Sequence, residues 1–420
     1  MHSTTDRFYE AIKPLIPNLP LYEGSLQRVF TGCYTSLSRI KRKAIEASGA
    51  VLQAEKLIDI VPPPTPSLAR RGQEPLTGLR IGLGEVWEDI LFNDFHDILP
   101  GSCTEPAEQD ALDLYGRAME NIRRLNMQSI TSINQSVAPL KAHIPVTVFN
   151  SNAGLTTMPV EFECMSDYRP FWEGEWTLKL FDRQGNEIAC QEEQPDARLP
   201  FHRWRRKISF LAKDLAPGVH HYYLTPVETS PNHTNSLSTS PNPLLINEGA
   251  RNSTSALKES TFVPSPSLSF PRTRGPFANS QDLPKISFLV LNDTADSWGT
   301  NAFSYRDLAG KFEPEHPERI IETGPIRNIY ESNLTFHHSK ITVHRICYAD
   351  WPVTEYKIRI QWNEEQKRLK LAIPVPVENA KLTAQISGGS EIFPPNSQEH
   401  VHGTWLSLGV PDTRHPIPDT

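Results

Sequence analysis

Hydrophobic positions recur at intervals of three and four through the first third of the chain and at intervals of two from about His143 onward. That switch of period predicts a helical part followed by β-sheet. Leu37, Ile40, Ala44, Ala47, Val51, Ala54 and Ile58 form one seam of the kind that packs in a bundle. Leu83, Val86, Trp87, Ile90 and Leu91 form a second stripe, on a helix ending near Phe95. A third helix is predicted over Glu105–Ile133, with Ala107, Ala111, Leu114, Ala118, Ile122, Leu125 and Ile133 inward. Its start is marked by Ser102-Cys103-Thr104-Glu105, a capping-box spacing, and by Pro106, whose missing N–H costs nothing in a first turn. Three such helices make a small antiparallel bundle. A shorter amphipathic helix is predicted over Thr5–Leu15, with Phe8, Ile12 and Leu15 on one side and Pro17 and Pro20 ending it.

The period-two part begins with Val146–Phe149. Trp176–Phe181 and Ile188–Gln191 bracket Asp182–Asn186, a hairpin loop with Gly185 where positive φ is needed. Ile208–Phe210 and Tyr222–Leu224 continue the sheet. Further on, Tyr356, Ile358, Ile360 and Trp362 alternate with polar residues, and a turn at Asn363–Lys367 leads to Leu369, Leu371 and Ile373, which predicts a hairpin. Two stretches break the pattern. Val61–Gly78 holds five prolines, which favour extended backbone over helix and predict a loop. Of the 58 residues from Val227 to Pro284, 33 are Ser, Thr, Pro, Asn or Gly, too few apolar groups to offset the entropy of ordering, which predicts a disordered linker. After Leu408 the chain turns proline-rich, with no candidate for closing strands. The expected fold class is therefore multidomain, α then β: a small three-helix bundle (32–140), antiparallel β domains at 141–226 and 285–420, and the linker 227–284 between them.

Composition removes several function classes. The 42 basic and 49 acidic residues leave a net charge of −7, no electrostatic footprint for nucleic acid or an anionic membrane. Arg39, Lys41, Arg42 and Lys43 fall off the bundle seam and read as its wet side; Arg203, Arg205, Arg206 and Lys207 read as a solvated strand face. Apolar runs such as Ile286–Leu291 fall far short of the ~18 residues that a membrane span needs. Met1–Pro20 carries Asp6, Glu10 and Lys13 and has no apolar core of a signal peptide. Five scattered cysteines without CxxC spacing suit a reducing cytoplasm, and the Asn232-His233-Thr234 and Asn333-Leu334-Thr335 triplets then carry no glycan.

Candidate chemistry concentrates at Asn93–Ser102, a non-helical break between two predicted helices. His96 beside Asp97 at a fixed break can aim an imidazole at a metal or substrate. The alternative is a histidine that hydrogen-bonds backbone at a helix end. His220-His221, His337-His338 and His400-Val401-His402 lie at strands with no carboxylate at ligand spacing and read as surface or packing residues. Glu364 and Glu365 sit in a turn and read as solvating.

Phe95-His96-Asp97-Ile98-Leu99-Pro100-Gly101-Ser102 resembles the signature of glycoside hydrolase family 38, the zinc-dependent retaining α-mannosidases. Gly32–Ser36 with Arg39–Arg42 is similar to the start of that family's central helical domain. Val148–Asn150, Trp172–Trp176, Asp293–Gly299 with Tyr305–Phe312, and Pro374–Ala380 resemble its β regions. The resemblance implies that residues 1–31 are the end of a catalytic barrel, that His96 is a zinc ligand and that Asp97 contacts sugar hydroxyls. It implies hydrolysis of terminal α-linked mannose in mannose-containing oligosaccharides. It also implies that the nucleophile, the acid/base and the remaining zinc ligands lie outside these 420 residues, since no His-X-Asp occurs. No catalytic residue is thus expected within them: the chain reads as an incomplete fragment whose barrel is lost or supplied by a separate chain. A non-catalytic sugar-binding or scaffold module, using exposed aromatics such as Trp172, Trp176 or Trp405, and an inactive gene product are the competing classes.

Overall fold

The computed structural model describes residues 4–22, 29–62, 75–135, 144–165, 176–195, 205–228, 268–271, 286–300, 302–374 and 380–409. Helices α1 (Thr5–Ile12), α2 (Ser38–Asp59), α3 (Pro75–Asn93) and α4 (Glu105–Gln135) precede strands β1 to β19, and every described strand pair is antiparallel. Two compact units emerge. The larger lies within 35–294 and 307–374, the smaller within 1–34, 295–306 and 375–420.

In the larger unit α2, α3 and α4 pack as a bundle. Ile40, Ala47, Val51, Ala54 and Ile58 of α2 are buried with Leu79, Val86 and Ile90 of α3 and Ala111, Tyr115, Ala118, Ile122, Leu125 and Ile133 of α4. Each large aliphatic side chain so buried stabilises the bundle by roughly 1.5–3 kcal/mol. Three expectations need correction. Leu91 is not on the buried stripe but 59% exposed, because the last turn of the helix meets the bundle through Ile90 and Asn93, which leaves Leu91 on another side. Helix α3 starts at Pro75, so Leu76–Gly78 are helical; residues 63–74 of the expected loop lie outside the described residues. Helix α4 starts at Glu105, which leaves Ser102 outside it and without a capping role.

The bundle is followed by a sandwich of two sheets. Strands β1 (Ile144–Asn150), β7 (Gly218–Glu228), β3 (Trp176–Asp182) and β4 (Glu187–Ile188) lie in the order β1-β7-β3-β4. Strands β2 (Thr156–Met165), β6 (Arg205–Leu215) and β5 (Cys190–Glu193) form the second sheet in the order β2-β6-β5. Leu178, Leu180, Ile208, Phe210 and Leu224 fill the space between. The predicted hairpin is short: only Leu180–Ile188 and Phe181–Glu187 pair, and after Ala189 the chain crosses to the other sheet as β5. The basic run is not solvated. Arg205 pairs with Glu163, Arg206 with Glu192 and Lys207 with Glu161 across the strands; Arg203 lies outside the described residues.

A second sandwich pairs β11 (Glu313–Pro314), β13 (Arg327–Phe336), β14 (Ser339–Tyr348), β15 (Val353–Gln361) and β8 (Leu268–Pro271), with β12 (Arg319–Glu322) also on β13, against β10 (Leu308–Lys311), β9 (Ser287–Asn292) and β16 (Lys367–Ala372). Phe288, Val290, Phe312, Ile341, Val343 and Tyr356 are its core. Here the expected β15–β16 hairpin does not form. The connection crosses between sheets, β15 pairing with β14 and β16 with β9, because each strand's apolar face meets the other's across the core rather than edge to edge. Glu364 is correspondingly not a solvating turn residue: it accepts from the His338 N–H (3.0 Å) and the Ser339 hydroxyl (2.9 Å). Strand β8 falls inside the predicted linker, of which only 227–228 and 268–271 are among the described residues.

A buried ionic joint ties the two sandwiches. Arg327 donates to Glu193 at 2.6 and 2.5 Å and also to Glu161, and Gln191 Oε1 accepts from the Ile326 and Arg327 N–H groups at 3.1 and 3.0 Å. Both Arg327 and Glu193 are almost fully buried.

In the smaller unit, β17 (Lys381–Ile386) pairs with β18 (Gly389–Phe393) and β19 (Leu406–Gly409). Gly32 abuts Gly299, where a Cβ would come within 2.5 Å of backbone, and the Thr31 hydroxyl donates to the Ala302 carbonyl at 2.6 Å. The Thr5–Leu15 expectation divides into α1 and a 3₁₀ turn over Lys13–Asn18. No described helix is long and apolar enough to cross a membrane.

Candidate functional site

The site is built on the break between α3 and α4. Asn93, the last residue of α3, is fully buried, and its amide donates to the Ala111 carbonyl of α4 at 3.0 Å. That bond fixes the exit of the chain. Ile98 and Leu99 then pack into the bundle core, while Gly101 turns back with φ +84. A Cβ at Gly101 would lie 2.6 Å from the Ser36 carbonyl oxygen, so only glycine fits this close crossing.

Lys41, expected on the wet side, is instead half-buried and reaches under the loop. Its ammonium donates to the carbonyls of Leu99 (2.9 Å), Pro100 (3.2 Å) and Ser36. Arg39 stays on the wet side, its side chain 61% exposed, and binds Glu108 at the start of α4 at 2.8 Å. Within the basic run, Lys41 thus holds the loop and Arg39 the start of the helix after it, while Arg42 and Lys43 pair with Glu46 of α2 itself. No periodicity argument could find Lys41, since its partners are carbonyls remote in sequence.

On this support His96 stands out, its side chain 76% exposed, with its ring 4.2 Å from that of Phe95. Its Nε2 lies 3.4 Å from Asp97 Oδ2. The other Asp97 oxygen faces the Ser102 hydroxyl at 3.3 Å, and the Ser102 N–H donates to the Asp97 carbonyl at 3.1 Å. With Nε2 turned toward a carboxylate, Nδ1 is the nitrogen left for a ligand. Phe95, whose ring lies against the imidazole, is exposed, as are Leu91 and Phe92 on the helix end that precedes it.

Beneath the loop lies a polar knot that the sequence did not disclose. Asn93 Oδ1 and the Tyr115 hydroxyl are buried without a hydrogen-bond partner among the described residues. Burial and the nearby Asp94 push the Tyr115 phenol up to about 12, and burial raises the Asp94 carboxyl.

The donor set bears directly on a metal. Among the described residues no group of three or more His, Cys, Asp or Glu side chains could hold an ion. A catalytic zinc takes about three protein ligands with one position open, so these residues do not by themselves fit a zinc centre. The other histidines do not add to His96: His220 contacts the Ala216 carbonyl (2.8 Å), His221 the Thr147 hydroxyl (3.3 Å), His400 the Asn396 side chain (3.0 Å) and His402 the Gly403 carbonyl (2.8 Å). His337 lies 3.7 Å from Glu364. Burial opposes the charge of Glu364, but bonds from Ser339 and His338 and the charges of both histidines outweigh it and hold the carboxyl below its usual range. Of the aromatic candidates, Trp405 is 45% exposed; Trp172 and the Trp176 side chain lie outside the described residues.

With the bundle, its loop and the sandwiches in view, the relationship to known proteins can be stated. Residues 28–133 match the alpha mannosidase middle domain family. The matched span runs from just before Val29 to Ile133 and contains the entire His96 loop with the helices on either side. The fold extends further: an alpha-mannosidase from Enterococcus faecalis V583 superposes with a TM-score of 0.59 over 92% of this chain and 49% of its own, at 14% identity. A glycoside hydrolase family 38 protein from Enterococcus faecalis superposes with a TM-score of 0.61 over 94% of this chain and 51% of its own, also at 14% identity. At this identity the likeness shows the fold. The chain spans about half the length of these structures. No curated protein sequence matches it significantly. A helical middle domain followed by β-sandwiches is thus the fold that this chain shares with these two structures.

Proposed function

We propose that the chain is part of an α-mannosidase that hydrolyses terminal α-linked mannose in mannose-containing oligosaccharides, with His96 contributing one ligand to a zinc ion and Asp97 binding sugar hydroxyls. The observation that carries this reading is an exposed imidazole, paired with a carboxylate, on a loop locked by Lys41, Gly101 and Asn93 inside a segment that matches the middle domain family. Such a loop pre-orders a ligand without being able to complete a centre. A retaining glycosidase needs two carboxyl groups roughly 5–5.5 Å apart, and a zinc ion would add a grip on the ring hydroxyls. In this reading those carboxyls, and the remaining zinc ligands, come from a barrel carried outside these residues or on a separate chain. Leu91, Phe92 and Phe95 are the surface against which such a barrel would close. The five free cysteines support a cytoplasmic setting.

The test is hydrolysis of an aryl α-mannoside with zinc, by the chain alone and after adding a family barrel. Little turnover alone, and turnover with barrel that falls about a hundredfold or more in His96→Ala, is expected, in line with the loss of a metal ligand or its support. Brisk turnover unaffected by His96→Ala would overturn the assignment. A second reading, a sugar-binding module without catalysis, is favoured by the exposed Trp405 and by the lack of a three-ligand cluster among the described residues. It predicts glycan binding that zinc does not change.

A further inference from the structure

Two polar atoms under the His96 loop are sealed from solvent and unspent. Asn93 Oδ1 and the Tyr115 hydroxyl each lack a hydrogen-bond partner among the described residues, and both residues are 0% exposed. They belong to one corner of the bundle. Asn93 Nδ2 donates to the Ala111 carbonyl at 3.0 Å, and Tyr115 stands one turn beyond Ala111 on the same buried face of α4. A helical tyrosine leans its ring back over the preceding turn, which here is the turn that Asn93 grips. Asp94, the next residue of the loop, is near enough for its charge to bear on the phenol.

Neither atom can satisfy itself. Turning the Asn93 amide over would set its oxygen against the Ala111 carbonyl, acceptor on acceptor, so the position of Oδ1 is fixed. Tyr115 is held in the close-packed bundle core. A buried polar atom without a partner carries the whole cost of its lost hydration, and nearly all such atoms in folded proteins are bonded. The chemistry of the partner follows from the pair. It must donate to an amide oxygen, accept from a protonated phenol and fit inside a closed core, and water does all three. We infer that Asn93 and Tyr115 hold one internal water, which donates to Asn93 Oδ1, accepts from the Tyr115 hydroxyl and has its second hydrogen left for Asp94. Asn93 then grips α4 twice, directly through Nδ2 and through the water, and the start of the His96 loop is tied to the same point. This rests on the bundle alone and stands apart from the mannoside reading.

A crystal structure of the full chain, refined to a resolution that shows ordered solvent, tests this. One density peak within about 3.2 Å of both oxygens is expected. It should vanish in Tyr115→Phe, which keeps the ring and removes the hydroxyl. In solution, Tyr115→Phe should speed amide exchange by about tenfold at Asp94 and Phe95, whose N–H groups donate to the Leu91 and Phe92 carbonyls, while Ile122 and Leu125 exchange as before. A direct bond between the Asn93 and Tyr115 side chains, a dry pair, or unchanged exchange at Asp94 and Phe95 in the variant would overturn the proposal.

Discussion

At the scale of single residues the structure depends on charges that are buried but fully paired. Arg327 and Glu193 are each about 3% exposed, and Glu161 and Gln191 complete the set. Burial raises the cost of the Glu161 charge, but Arg327, Lys357 and Lys207 outweigh it and hold the carboxyl down at about 2. A carboxyl whose folded pKa lies below its unfolded value contributes stability above the unfolded value and loses it as pH falls. The larger unit is thus expected to lose stability between about pH 4.5 and 2, measurable by urea titration at stepped pH. In Arg327→Met the loss should be about 3–5 kcal/mol at neutral pH, because Glu193 is left charged and buried; a change below about 1 kcal/mol would show that the joint is loosely solvated. Gly101 is the other residue with no substitute. Gly101→Ala must strain φ +84 and push the Ser36 carbonyl aside, and a lowered melting temperature by circular dichroism is the expected outcome.

At the scale of elements the loop between α3 and α4 is held by partners as well as by its own turn bonds, such as Ile98 N–H to Phe95 and Gly101 N–H to Ile98. Lys41 gives it three carbonyl bonds from α2, and Asn93 anchors it to α4. Lys41→Met keeps the aliphatic stem and removes the donors. It should speed amide exchange at Gly101 and Ser102 by about tenfold or more while the core of α2 exchanges as before. Unchanged exchange at those two amides would show that Lys41 is dispensable to the loop. The seams of α2 and α4 were legible from the sequence because residues three and four apart share a helix face whatever they pack on. The pairing of β15 and β16 was not. Alternation reveals which face of a strand is buried, but not whether the next strand lies beside it or across the core from it.

At the scale of the whole molecule, the two units are interleaved in sequence, the smaller assembled from three separated segments. Gly299, with φ +62, meets the backbone of Gly32 within 2.4 Å of where its Cβ would be. Gly299→Ala should therefore loosen the smaller unit selectively. Hydrogen exchange would then rise at Thr31–Tyr34 and Leu382–Ile386 while Ile346 and Phe210 in the larger unit stay protected; a uniform rise would mean that the units unfold as one.

The sequence by itself determined the helical seams, the change from helical to β-structure and the position of a histidine-carboxylate pair at a helix break, because periodicity and helix stop signals are local. Only the tertiary structure decided that this pair is exposed, that Lys41 helps to support its loop, that the basic strand residues are neutralised by Glu161, Glu163 and Glu192, and that Glu364 accepts from Ser339 and His338. Those outcomes depend on which distant groups meet, and a side chain's charge is spent or left free according to partners that its neighbours in sequence do not name.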